Sequence, residues 1–123
     1  MADEIAVERL APPDAHAQFV TEVARWRWVK AEPVAPAGGT ELRARGRLFG
    51  HVLDHWTGDA AVGLAVSRDC ASAAIAEGVA RRHPIIDEPH WVLIVLHTAR
   101  DMARAFDLAR AAYQRAVPPL RLV

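Results

Sequence analysis

The sequence predicts a single small α+β domain in which an antiparallel sheet of about four strands is covered by helices on one face. The chain has 123 residues, 52% of them hydrophobic, which suits one domain with one core. Apolar residues recur every third or fourth position near both ends, whereas short β-rich runs bounded by turn residues occupy the middle. The predicted order is helix-β-β-β-helix-β-helix, so the strands cluster first and the helices must cover one sheet face.

The first helix is predicted from Asp14 to about Val29. Pro12-Pro13-Asp14 has the proline and the early acid that are typical of a helix start. The apolar residues of this segment share one helical face: Phe19, Val23 and Trp26. Pro33, Pro36 and a glycine pair then predict an exposed loop over Ala31–Gly39.

The middle of the chain predicts three antiparallel strands. Arg45-Gly46 separates Thr40–Ala44 from Arg47–Leu53, and its glycine can supply the positive φ of a tight hairpin turn. Thr57-Gly58-Asp59 predicts a second turn. The small and β-branched residues of Ala60–Val66 then predict the third strand.

A second helix is predicted from an N-cap at Ser67 to about Glu77, followed by an exposed turn at Arg81–Pro84. The segment Trp91–Leu96 is apolar at every position, which predicts a strand with both faces covered. Such a strand lies centrally in a sheet or against a partner chain, for example in a homodimer.

The last helix is predicted to begin at a capping box formed by Thr98 and Asp101, and to end before Pro118-Pro119. Its apolar residues recur at spacings of three and four: Met102, Phe106, Ala109, Tyr113 and Val117. We therefore divide the chain into a flexible leader at residues 1–13, the domain at residues 14–117 and a tail at residues 118–123.

Composition excludes several classes of function. The 15 basic and 15 acidic residues balance, so no net charge favours nucleic acid, and nucleic acid is not an expected partner. One cysteine, Cys70, forms no intrachain disulfide, and no secretory signal opens the chain, which predicts the cytoplasm. The longest apolar run is far shorter than the roughly 20 residues of a membrane-spanning helix. No cofactor motif and no metal motif is present.

Six histidines raise the question of a catalytic site. His51 and His55 share a strand face, but four residues along a strand separate their Cα atoms by about 13 Å, too far for one zinc. An enzyme would use an imidazole at a strand end or in the adjoining loop as acid or base with a nearby carboxylate, or the same side chains would hold a catalytic metal ion. The candidates are His51, His83 and His90 with Asp54 or Asp87.

The leading interpretation is a non-catalytic module that binds a small ligand or a protein partner on its sheet; the sequence does not establish an enzyme. The predicted ligand-binding residues are His51, His55, Trp56, His83, His90 and Trp91. A second alternative is a winged DNA-binding protein, because three arginines alternate across the predicted hairpin: Arg43, Arg45 and Arg47.

Four segments of the chain carry a family resemblance: Arg45–His51, Ala76–His83, His90–Val92 and Asp107–Ala116. Over about residues 40–117 the sequence resembles the small bacterial luciferase-domain proteins. The resemblance implies an α+β fold with a Gly-His strand, a Trp-Val strand and a closing Tyr helix. It implies no chemistry, because the luciferase label alone establishes no light-producing activity. The element order is also similar, more weakly, to the MmcQ/YjbR double-wing proteins.

Overall fold

A computed structural model of the chain describes residues 8–34, 38–56 and 58–118. Three helices and six strands lie in these residues. In chain order they are α1 (Pro12–Val23), β1 (Val29–Val34), β2 (Gly39–Ala44), β3 (Arg47–Trp56), β4 (Asp59–Ala65), α2 (Arg68–Ala76), β5 (Arg81–Arg82), β6 (Trp91–Val95) and α3 (Ala99–Ala116).

The strands form one open antiparallel sheet in the order β1-β2-β3-β4-β6-β5. The predicted α+β class and the single small domain are confirmed. The number of strands and their order were wrong, because the described residues contain six strands rather than about four, in the order helix-β-β-β-β-helix-β-β-helix.

The two missed strands lie at the edges of the sheet. β1 replaces the predicted loop although it contains Pro33, because an edge strand tolerates a residue that has no N–H to donate. β5 consists of Arg81 and Arg82 alone, paired with Leu93 and Val92, and two residues are too few to show any period. Local sequence therefore predicts the central strands better than the edges.

The first helix is shorter than predicted and ends at Val23. The chain then turns, and the backbone N–H of Val29 donates to the carbonyl oxygen of Trp26 at 3.1 Å. Trp28 adopts a positive φ of 65°, a left-handed conformation that cannot continue the helix. Phe19 and Val23 are buried as predicted, whereas Trp26 lies beyond the helix.

The predicted helix caps are present. The Ser67 side chain accepts from the Cys70 backbone N–H at 3.1 Å and begins α2. Thr98 and Asp101 form the predicted capping box at the start of α3. Each cap pairs backbone N–H groups that a helix start would otherwise leave free.

The helices pack on one face of the sheet. All three contribute buried residues to a single hydrophobic core with strand residues such as Val62 and Ile94, and α1 and α3 pack on β3 and β4. Side chains alternate along β6, so Trp91 and Leu93 point to the opposite face, where they are nevertheless buried. We call this opposite face, with Glu41, His51 and Gly63, the open face, because none of the described helices covers it.

The first described residues of the chain are hydrogen-bonded to the rest of the domain. The Leu10 N–H donates to the His97 carbonyl oxygen at 2.7 Å. The Arg9 guanidinium bonds the buried carboxylate of Asp59 at 2.8 Å, and His97 Nδ1 lies 3.5 Å from the same carboxylate. Of the predicted leader, residues 1–7 lie outside the described residues. No helix among the described residues is long and apolar enough to span a membrane.

Candidate functional site

Strand pairing places four residues in one row across the open face. Glu41 on β2 pairs with His51 on β3, His51 pairs with Gly63 on β4, and Gly63 pairs with Leu93 on β6. Residues paired across antiparallel strands point to the same side of the sheet. The row therefore places a half-buried imidazole at the middle of the open face, beside a glycine.

His83 reaches this row from the loop that follows β5. Its Nε2 lies 2.8 Å from Nε2 of His51, and its Nδ1 accepts from the backbone N–H groups of Ile85 and Ile86 at 3.2 and 3.0 Å. An Nδ1 that accepts two hydrogen bonds carries no proton, so the proton of neutral His83 is on Nε2. We therefore assign the donor to His83 and the acceptor to His51, which places the proton of His51 on Nδ1.

Gly63 provides the space for this imidazole pair. A Cβ atom at position 63 would lie 2.7 Å from Cδ2 of His51 and 3.0 Å from Cδ2 of His83. Both distances are shorter than ordinary van der Waals contact, so any side chain at position 63 would displace the rings. A lone glycine within a strand is a recognisable sign of such a close approach.

Trp91 is the aromatic neighbour of both histidines. Its ring stacks on His51, with centroids 5.5 Å apart and planes 22° apart, and meets His83 edge-on at 6.1 Å. Trp91 is only 7% exposed, and His83 is buried too. The imidazole pair thus has one apolar aromatic wall, which limits its contact with water.

The surroundings of the pair hold it neutral. The pKa of His51 is lowered to about 4, chiefly by burial and secondly by the adjacent His83, while Glu41 opposes both effects. Burial also lowers the pKa of His83. The hydrogen bonds also favour the neutral form of both rings. A second proton on either ring would point at a nitrogen that already donates a hydrogen bond to it.

We expect His51 to titrate with a midpoint near 4 instead of the ordinary 6.5. Between pH 6.5 and 4, the unfolded chain therefore binds a proton at His51 that the folded chain does not bind. The free energy of unfolding should decrease as the pH falls from 6.5 toward 4. The slope stays below the limit of about 1.4 kcal/mol per pH unit for one proton, because the unfolded and folded chains differ by less than one full proton at every pH in this range.

Histidine ring NMR across this pH range measures the titration midpoint of His51. Urea unfolding at each pH measures the free energy of unfolding. His51→Gln should remove most of the pH-dependent loss. A His51 midpoint at its ordinary value, or an equal pH dependence in the variant, contradicts the assignment.

The structure brings some of the predicted site residues together and separates others. His51, His83 and Trp91 meet, and His90 lies beside Trp91 with ring centroids 6.4 Å apart. His90 Nε2 is 3.1 Å from a Glu88 carboxylate oxygen. The predicted residues His55 and Trp56 lie in β3, but their side chains are outside the described part of the structure.

The two aspartates predicted for an acid–base pair have other partners. Asp87 bonds Arg82 at 3.2 Å, and Asp54 contacts His16 on the helix side of the sheet. Sequence reasoning missed His16, whose Nε2 lies 2.9 Å from the buried Thr40 hydroxyl while Nδ1 lies against Asp54. The Nδ1 contact is close without the alignment of a hydrogen bond. This group connects α1 to β2 and β3.

The three hairpin arginines differ in their surroundings, and Arg43 is separate from the other two. Arg43 is bound to the Glu41 carboxylate at 3.0 Å and to the Gly46 carbonyl oxygen at 3.3 Å. Arg45 instead lies over the Trp28 ring, and Arg47 is exposed at the start of β3. Within residues 8–34, 38–56 and 58–118, no three His, Cys, Asp or Glu side chains are grouped to hold a metal ion.

The chain is a small α+β protein with an open antiparallel sheet, helices on one face and a histidine pair on the other. The chain belongs to the luciferase-domain family, because the family model described as "Luciferase domain" matches residues 46–112, more than half of the chain. The matched region contains His51, Gly63, His83 and Trp91. The predicted family resemblance is thereby confirmed.

A crystal structure of a protein from Pseudomonas syringae, solved as a structural-genomics target, has a similar fold. Its TM-score is 0.62 at 12% sequence identity, and the match covers 80% of this chain and 96% of that chain. At this identity the likeness shows the fold alone. No curated protein matches the chain. The fainter resemblance to the MmcQ/YjbR proteins stays a prediction.

Proposed function

We propose that the chain is a non-catalytic binding module that holds a small ligand against the imidazole pair on the open face. The observation that supports this most is the hydrogen bond between His51 and His83 at 2.8 Å, made in a space that only glycine at position 63 permits. Apolar side chains usually fill a sheet face that is merely packed. The buried His83 and the half-buried His51 instead present polar atoms in a defined orientation.

The assigned protons indicate the chemistry of the ligand. The Nδ1–H of His51 has no acceptor among the hydrogen bonds of the described residues, so it is the donor that remains for a ligand oxygen. The pair is neutral near physiological pH, because burial lowers both pKa values. We therefore propose an uncharged ligand that presents a hydrogen-bond acceptor, such as a carbonyl oxygen, rather than an anion.

The neighbouring loop adds apolar surface beside this donor. Ile85 is 73% exposed, although the backbone N–H groups of Ile85 and Ile86 both donate to His83. The loop is therefore tied to the imidazole pair while it presents a large aliphatic side chain to solvent. An exposed isoleucine in a loop that is bonded to His83 favours the apolar part of a ligand.

The alternative of an enzyme has less support. General acid–base catalysis at His51 or His83 needs a group that exchanges protons near neutral pH, and both pKa values are lowered away from that range. Asp54 and Asp87 have partners elsewhere. The proposal therefore assigns the imidazole pair to recognition rather than to proton transfer.

A thermal-shift screen tests the proposal with a library of small carbonyl and amide compounds. A compound at about 100 times its Kd should stabilise the wild-type chain by about 2.7 kcal/mol and raise its melting temperature. The rise should be lost in His51→Phe and kept in His97→Gln, which changes a histidine beside Asp59 instead. Hits that shift wild type and His51→Phe equally would overturn the proposal.

A further inference from the structure

A cluster of arginines surrounds Trp28 at one end of the domain, away from the imidazole pair. The guanidinium carbons of Arg45 and Arg27 lie 3.8 and 4.4 Å from the centroid of the Trp28 ring. Trp28 is 43% exposed, unusual for so large an apolar ring. The ring thus holds two cations at the surface by cation–π contact.

Both backbone segments at this corner contain a residue in a left-handed conformation. Trp28 and Arg45 both have positive φ, 65° and 51°, and the Arg45 N–H donates to the Trp28 carbonyl oxygen at 3.3 Å. A left-handed conformation is uncommon for a bulky residue and costs about 1–3 kcal/mol. Arg45 and Gly46 are the two central residues of the hairpin between β2 and β3, and the turn that such hairpins favour requires a positive φ at both, so the hairpin fixes the Arg45 backbone in this conformation.

The corner is held in place by the last helix. The Tyr113 hydroxyl donates to the Arg27 carbonyl oxygen at 2.7 Å, and the guanidinium of Arg110 lies 4.0 Å from the Trp26 ring centroid. Tyr113 also packs edge-on against Trp26, at 5.5 Å. The residues that carry the two cations are therefore fixed to the core rather than free to follow a ligand.

Two more arginines lie beside this corner. Arg47 and Arg115 line a cavity of about 270 Å³ whose other lining residues are Leu48, Phe49, Ala65, Ala112 and Ala116. None of the lining residues is acidic. In the part of the chain that the structure describes, neither these two arginines nor Arg27 and Arg45 make an ion pair with a carboxylate. Four unpaired positive charges on a chain of zero net charge make a local positive surface.

We infer that this corner, formed by Arg27, Trp28, Arg45, Arg47 and Arg115, binds a phosphate group. Guanidinium groups match the oxygen geometry of phosphate and bind it through paired N–H donors. The cation–π contacts orient two of these groups before the ligand arrives, and the cavity between Arg47 and Arg115 accepts a phosphate oxygen. The same chemistry serves a phosphomonoester and the backbone of a nucleic acid.

The test measures binding of three probes at low and at high sodium chloride: inorganic phosphate, adenosine monophosphate and a single-stranded oligodeoxythymidine. Tryptophan fluorescence reports binding, and Trp28 is one of the four tryptophans that contribute to it. We expect binding that weakens with salt, as it does when arginines neutralise phosphates. Tighter binding of the oligonucleotide than of the monophosphate identifies a nucleic-acid source, and comparable binding identifies a small phosphoester.

Two variants and a matched control make the test decisive. Arg45→Gly removes a guanidinium while relieving the positive φ, so weaker binding cannot follow from a strained backbone. Arg47→Ala removes a guanidinium group from the cavity. Each should weaken binding about tenfold or more, the effect of one charge-assisted contact, whereas Arg68→Ala at the start of α2 should not. No binding at low salt, or equal weakening in all three variants, overturns the inference.

Discussion

Replacing Gly63 by alanine is expected to lower the free energy of unfolding by about 2 kcal/mol, within the range for overpacking a buried site. The new Cβ would lie 2.7 Å from Cδ2 of His51 and 3.0 Å from Cδ2 of His83. Neither ring can simply turn away, because each is fixed by the hydrogen bond between them and by Trp91. β4 is paired on both sides, so the backbone cannot shift either. Urea unfolding measures the loss.

A double-mutant cycle provides the control. If the loss arises from contact with the imidazole pair, Gly63→Ala should cost less in a His51→Ala background, because the closer ring is then absent and His83 has lost the hydrogen bond that fixes it. The ligand-dependent thermal shift should also be lost in the single variant. An equal cost of Gly63→Ala in both backgrounds would show that position 63 has another role.

Replacing Phe19 by alanine is expected to cost about 3–5 kcal/mol, the range for deleting a buried phenylalanine. Phe19 is fully buried in α1 and stacks on Phe106 of α3, with ring centroids 5.3 Å apart. The substitution leaves a cavity between the two helices and the sheet. A loss this large is a major part of the total stability of a small domain, so the melting temperature of the variant should be far below that of the wild type.

Leu48→Ala is the matched control for this prediction. Leu48 is 36% exposed at the start of β3, so its truncation should change stability by no more than about 0.5 kcal/mol. Chemical denaturation of the two variants gives the comparison. Similar losses in both would mean that the helices do not form the core described above.

The elements with strong local signals could be predicted from the sequence. α3 has an apolar stripe and a capping box at Thr98 and Asp101, and both are present. The hairpin at Arg45-Gly46 follows from a glycine that adopts a φ of 81°. The edge strands were missed because their partners, rather than their own residues, determine them: β1 carries a proline and β5 has two residues.

The site could be predicted only in part. The sequence singles out His51, His83 and Trp91, but their meeting depends on strand register and on a loop, which no local pattern reports. Gly63 was a detectable signal, since a lone glycine in a strand indicates close approach. No local sequence pattern indicated His16, because its partners Thr40 and Asp54 are more than 20 positions away in the chain.

The most direct test of the account is the protonation of the four ring nitrogens of His51 and His83, read from nitrogen-15 NMR near neutral pH. The account predicts that His83 carries its proton on Nε2, and that His51 carries its proton on Nδ1 and leaves Nε2 to accept. Protons on Nε2 of both rings, or a doubly protonated ring, would contradict it.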